Sequence, residues 1–114
     1  MKTIAVDWDG TLVEYTQFKG ACIYGAPVPR MVYRIQDWLK EGHAVIIFTS
    51  RVSDEHTISR VAEEIATIQV ALHDMGLPPL MVTANKYTHI SEFWDDRAVH
   101  VIKNTGQVAI GGGI

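Results

Sequence analysis

The stretch Thr3-Ile4-Ala5-Val6-Asp7-Trp8-Asp9-Gly10-Thr11 decides the fold. Its first four residues are apolar or β-branched, which reads as a buried strand. Side chains alternate between the faces of a strand, so Asp7 and Asp9 share one side while Trp8 points the other way, into packing. Two carboxylates that close repel each other unless a cation lies between them or one is protonated. Gly10 permits a sharp turn and a close approach of backbone to a ligand. Hard oxygen donors at this spacing suit Mg²⁺, above all Mg²⁺ shared with a phosphate. Taken alone, Asp-x-Asp reads equally well as a loop that begins with solvated acids.

Three more segments shift that balance. The run Ala44-Val45-Ile46-Ile47-Phe48 ends in Thr49-Ser50-Arg51. Lys86 lies just past Leu80-Met81-Val82-Thr83, and Asp95-Asp96-Arg97 follows Phe93-Trp94 and precedes Ala98-Val99-His100-Val101-Ile102. Hydroxyl, lysine and paired acids each fall at or just beyond the end of an expected strand, the edge where open α/β sheets bind ligands. Between the strands the pattern is helical. Pro29 suits a first turn, Met31, Ile35, Trp38 and Leu39 recur at helical spacing, and Gly42 is a stop. Ser53 is the expected cap of a long second helix, whose apolar stripe is Ile58, Val61, Ala62, Ile65, Ile68, Leu72 and Met75, with Gly76 ending it. Strands are expected at about 43–49, 80–83, 92–95 and 98–102, with an edge strand at Val108–Ile110. Strands alternating with helices predict a doubly wound, parallel α/β sheet, Rossmann-like in arrangement. Right-handed crossovers put Asp7, Thr49 and Asp95 on one edge.

Asp7-x-Asp9-Gly10-Thr11, Thr49 after a strand, Lys86 and the pair Asp95-Asp96, in that order, resemble the haloacid dehalogenase superfamily of phosphotransferases. The resemblance spans Asp7 to Asp96. Lys19-Gly20, Gly25-Ala26-Pro27-Val28-Pro29, Asp95-Asp96-Arg97-Ala98-Val99 and Asn104-Thr105-Gly106 are also similar to segments of small phosphatase-like proteins of bacteria and phages. Trp8 stands where an aliphatic residue or Phe is commoner, and Lys86 lacks a following Pro. Neither departure removes a chemical group.

The resemblance implies a Mg²⁺-dependent phosphomonoester phosphatase acting through an aspartyl-phosphate. Asp7 is then the nucleophile, and Asp9 the acid that protonates the leaving oxygen and later the base on water. Thr49 bonds a phosphoryl oxygen and Lys86 neutralises charge. Gly10, Thr11, Ser50 and Arg51 contact substrate. Mg²⁺ is held by the Asp7 carboxylate, the Asp9 backbone carbonyl and the pair Asp95-Asp96, with Asp96 binding directly and Asp95 through water or by orienting Lys86. Arg51 could reach a substrate phosphate and Arg97 could pair with an acid in the site, with a structural ion pair an equal alternative for each. The five histidines have no ligand-like spacing.

Composition fits one compact enzyme domain. The chain has 114 residues, 47% apolar and 20% charged, with a formal net charge of −3. It can bury a core and is not of disordered composition. No basic block marks it as a polyanion binder. The lone Cys22 forms no internal disulfide, and no apolar run spans a membrane, so a cytoplasmic protein with no membrane partner is expected. With the first strand at residue 3, no targeting segment is expected. The whole of 1–114 is expected to form a single domain with a mobile glycine-rich tail at 111–114.

Larger superfamily members insert a cap over the site. Here 19 residues run from Gly10 to Val28, and only Ala84-Asn85 separate Thr83 from Lys86, so a capless, open site is expected. A small phosphate ester is the expected substrate, and a neighbouring subunit in a homo-oligomer is one way to cover the site. The segment Tyr15–Tyr24 reads as a flap or as a surface loop packed on the sheet. The first competing function is a nucleic-acid end phosphatase, similar to the phosphatase part of polynucleotide kinases, which share an acidic pair followed by Arg. A receiver-type phospho-switch is disfavoured because its acid follows a middle strand, where this chain has Thr49-Ser50-Arg51. An idle binding module has no need of the complete reactive set.

Overall fold

Thr3–Asp7 forms β1, with Ile4, Ala5 and Val6 all buried. A strand apolar on both faces belongs inside a parallel sheet, and β1 is flanked on both sides. The computed structural model describes residues 1–109. In it β1 pairs in parallel with β2 (Ala44–Phe48) and with β4 (Glu92–Trp94), and β2 pairs in parallel with β3 (Met81–Thr83). The sheet order is β3-β2-β1-β4. Two helices, α1 (Pro29–Lys40) and α2 (Ile58–Asp74), complete a compact single α/β unit consistent with a Rossmann-like fold.

Register fixes what meets at the sheet edge. Asp7 lies opposite Phe48, so Thr49 projects one residue beyond it. Val6 lies opposite Trp94, which brings Asp95 level with Asp7. Phe48 pairs with Thr83, and the Thr49 N–H donates to the Thr83 carbonyl at 2.9 Å. Because every strand runs the same way, these ends share one rim.

Helix α1 begins at Pro29, whose missing N–H costs nothing in a first turn. It buries Met31, Val32 and Ile35, and Trp38 packs on Trp94 with ring centroids 5.0 Å apart. Gly42, at φ +88°, takes the left-handed step after the helix end. The cap of α2 is Thr57, whose hydroxyl accepts from the Arg60 N–H at 3.2 Å, rather than the expected Ser53. Ser53 instead closes a short 3-10 turn, Ser50–Val52. The buried line of α2 is Glu64, Ile68 and Leu72, while Ile58, expected in the apolar stripe, is 91% exposed.

The expected strand at Ala98–Ile102 does not join the sheet. Val101 makes one antiparallel bridge to Val108, and Ile102 and Gln107 close a turn through Asn104 and Gly106, both at positive φ. Its apolar side chains Val99, Val101 and Ile102 stay exposed, as does Val108, so no burial rewards sheet pairing. Val108 thus enters a bridge rather than an edge strand. Ile110 and the 111–114 tail lie outside the described residues. Among the described residues no helix is long and apolar enough to cross a membrane.

Candidate active site

One carboxylate oxygen from each of Asp7, Asp95 and Asp96 lies within 4.8 Å of the others. Asp7 ends β1, and Asp95 and Asp96 follow β4, so the parallel register itself assembles the trio. Burial pushes the Asp7 carboxyl up to about 7. The charge of Asp95, a hydrogen bond shared with Asp96 and the charge of Asp96 add to this, while the Thr11 hydroxyl pulls the other way. Hydration is partly lost and like charges crowd, so the carboxylate form is disfavoured.

The turn after β1 fits this crowding. The N–H groups of Leu12 and Val13 both donate to the Trp8 carbonyl at 3.1 Å, folding Gly10 and Thr11 back over the rim. Gly10 sits at φ +86°, and a Cβ there would lie 2.5 Å from Asp96 Oδ2. Only glycine allows both that backbone conformation and the acid's approach. The Thr11 hydroxyl accepts the Asp96 N–H at 3.1 Å and lies 3.4 Å from Asp7 Oδ2. The Arg97 N–H donates to Asp95 Oδ1 at 2.8 Å. Backbone donors and one hydroxyl thus hold three acids together. A hexacoordinate Mg²⁺ places oxygens at about 2.1 Å, hence about 3–4 Å from each other. At 4.8 Å or less from one another the three oxygens lie near that spacing, so the donor set suits a hard divalent cation.

Asp9 faces the same cleft but is committed elsewhere. Its carboxylate takes a bidentate pair from Arg51, Nε to Oδ2 at 2.7 Å and Nη2 to Oδ1 at 3.0 Å. Arg51 is only 5% exposed. Its remaining N–H groups donate to Glu64 Oε2 at 3.2 Å, to the Gly20 carbonyl at 3.2 Å and to the Ile23 carbonyl at 3.0 Å. A guanidinium has five N–H donors, and all five are spent on protein acceptors. Of the two roles open to Arg51, the geometry is that of the internal ion pair.

Behind it Glu64 is 0% exposed and accepts from the Tyr24 hydroxyl at 2.7 Å and the Cys22 N–H at 2.8 Å. Burial alone would raise Glu64, but the bonds from Tyr24, Cys22 and Arg51 outweigh it and hold the carboxyl below its usual range. Tyr24 also packs edge-on against the buried Trp8, with ring centroids 5.2 Å apart. The Tyr15–Tyr24 segment is therefore pinned at its Tyr24 end, while Tyr15 and Phe18 remain exposed at the cleft.

The other expected residues divide. Thr49 is buried and lines the cleft beside the exposed Ser50, its hydroxyl accepting the Arg51 N–H at 3.2 Å. Lys86 is not brought to Asp7. Its ammonium lies over Phe93, 5.2 Å from the ring centroid, in a neighbouring depression that Asp95 also borders. Among the described residues it forms no ion pair. Sequence reasoning missed Glu64, yet a signal existed: Glu64, Ile68 and Leu72 recur every four residues, one line along a helix. It also assigned nothing to His56 and Arg60, which line the cleft with Arg97.

No family model and no curated protein matches the chain. Among solved structures it is similar to a conserved protein from Bacteroides thetaiotaomicron, at 26% identity and a TM-score of 0.56, over 85% of this chain and 77% of that one.

Proposed function

We propose that the protein is a phosphomonoester phosphatase of the haloacid dehalogenase type, dependent on Mg²⁺ and acting through an aspartyl-phosphate. The observation that carries this reading is the trio Asp7, Asp95 and Asp96 gathered at the carboxyl rim of a parallel sheet, with Thr11 and Thr49 beside it. Under this reading the fold is a doubly wound core without a cap, since neither short connection holds a further domain.

Asp7 Oδ attacks phosphorus and the ester P–O bond breaks as the Asp7–phosphorus bond forms. The departing oxygen takes a proton from Asp9. A water then attacks the phosphoryl group, gives its proton to Asp9 and frees Asp7 and inorganic phosphate. Arg51 holds Asp9 at the cleft through two parallel bonds, and one of them opens as Asp9 takes up the proton that it passes to the leaving oxygen. The Thr49 hydroxyl binds a phosphoryl oxygen. Lys86 swings on its flexible stem from Phe93 to the phosphoryl group. Asp7, Asp95, Asp96 and the Asp9 carbonyl would hold Mg²⁺, which supplies charge neutralisation of the phosphoryl oxygens.

Turnover tests the reading directly. Native protein is incubated with p-nitrophenyl phosphate, sugar phosphates, nucleotides and 3′- or 5′-phosphorylated oligonucleotides, with Mg²⁺ or with chelator. Hydrolysis of at least one ester, lost on chelation, is expected. No release of phosphate from any of them sinks the proposal.

Stability carries a second signature. Asp7 is raised from 3.8 in the unfolded chain to about 7 in the fold. Between those values the native state binds more protons than the unfolded state, so stability falls as pH rises from about 4 to about 7. Mg²⁺ binds the ionised trio and reverses that loss. Melting curves of chelated protein are expected to show Tm declining across this window, with millimolar Mg²⁺ raising Tm most at pH 7 and above, and Asp96→Ala abolishing the rise. A Tm indifferent to Mg²⁺ at pH 8 excludes the metal site.

A further inference from the structure

We infer that the wall of the cleft formed by Arg60 and Arg97 is an anion subsite, and that the substrate is a small phosphate ester carrying a second anionic group. The inference rests on the phosphatase reading for the first group and on separate residues for the second. The cleft holds about 450 Å³, within the roughly 300–1,000 Å³ of small-ligand pockets. Asp7, Thr49 and Asp96 line it, and so do Arg60 and Arg97.

Arg51 displays what an internal arginine does in this fold, with every donor satisfied by protein. Arg60 and Arg97 differ. Among the described residues neither pairs with an acid, although Asp7, Asp9, Glu55 and Asp96 line the same cleft. The Nε of Arg60 is buried without a hydrogen-bond partner, a condition rarely kept in a fold without a reason. Arg60 also sits in the first turn of the 17-residue helix α2, where the helix dipole disfavours a cation. Local helix energetics therefore do not account for it.

Phe18 supports the placement. Its ring lies 6.0 Å from the Arg60 guanidinium and 5.2 Å from that of Arg51, so one ring borders both the anchored arginine and the free one. A guanidinium fork matches carboxylate and phosphate oxygens alike, two bonds at a time. With the phosphoryl group at Asp7, a carboxylate or second phosphate at the other end of a short molecule meets Arg60 and Arg97. The cleft volume and the net charge of −3 favour a small molecule over a nucleic-acid strand.

Two esters that differ only in the second group test this: 3-phosphoglycerate, with a carboxylate, and glycerol 3-phosphate, with a hydroxymethyl group. Binding is read by calorimetry with Mg²⁺ on the Asp7→Asn protein, which turns over neither. The carboxylate ester is expected to bind at least tenfold more tightly. Adding Arg60→Gln or Arg97→Gln should bring that ratio close to one, while Lys40→Gln at the end of α1 leaves it intact. Equal affinities in the parent, no binding of either ester, a ratio that survives both arginine substitutions, or tighter binding of a phosphorylated oligonucleotide each overturns the inference. If the native protein releases phosphate from none of the esters tested above, these two included, while the ratio and its dependence on the arginines hold, the phosphatase reading falls and the subsite stands.

Discussion

Asp7→Asn lowers hydrolysis of p-nitrophenyl phosphate by on the order of a thousandfold or more, with the fold intact. Asparagine fills the same space at the end of β1 but carries no anionic oxygen to attack phosphorus, so the two-step route closes. What remains is substrate binding and charge stabilisation, which leave some residual rate over water. The substitution removes one of three crowded carboxylates, and with it the burial cost first and then the repulsion that push Asp7 up to about 7. The Tm of the chelated variant at pH 7 should therefore equal or exceed that of the chelated native protein. Lost turnover with an equal or higher Tm separates a chemical role from a structural one. Turnover within tenfold of native would mean that Asp7 is not the nucleophile. A variant that melts earlier would mean that the trio is not repulsive.

The positions of Asp7, Thr49 and Asp95 were legible because each ends an apolar run, and parallel strands bring their ends to one rim. Chain connectivity does the rest, without knowledge of packing. Lys86 was not legible in the same way. It stands in an irregular segment between β3 and β4, with no periodicity to set its direction, and lies over Phe93. Ala98–Ile102 misled because β-branched composition reports fitness for a half-buried surface, and no neighbour covers this one. Ile58 misled for a related reason. It is the first residue of α2, and the start of a helix projects past the core. Arg51 left two readings open in the sequence, since what it touches depends on Glu64, thirteen positions on, and on carbonyls of the 14–28 segment. A buried glutamate resembles a solvated one until its partners are known.

Glu64→Ala should cost about 3–5 kcal/mol, the usual penalty for removing one member of a buried ion pair. The loss has three parts. Arg51, held above its ordinary value because Asp9 and Glu64 outweigh its burial, keeps a charge that loses one of its two acids. The Tyr24 hydroxyl and the Cys22 N–H lose an acceptor inside the protein. The alanine leaves a void at a fully buried position. Against a typical total of about 5–15 kcal/mol for a domain, this is a large share, and at roughly 4 °C per kcal/mol it lowers Tm by on the order of 10–20 °C. The 14–28 segment should loosen most, because Cys22 and Tyr24 are its ties to α2, and proteolysis there should accelerate. Removing both charges is the informative control. In Arg51→Met with Glu64→Leu the two fully buried charges go together and only Asp9, partly exposed to water, loses a partner, so the double variant should melt above Glu64→Ala. It should still be impaired in turnover, since Asp9 has lost the guanidinium that orients it. A Glu64→Ala protein melting within about 2 °C of native would mean that the network is an incidental contact.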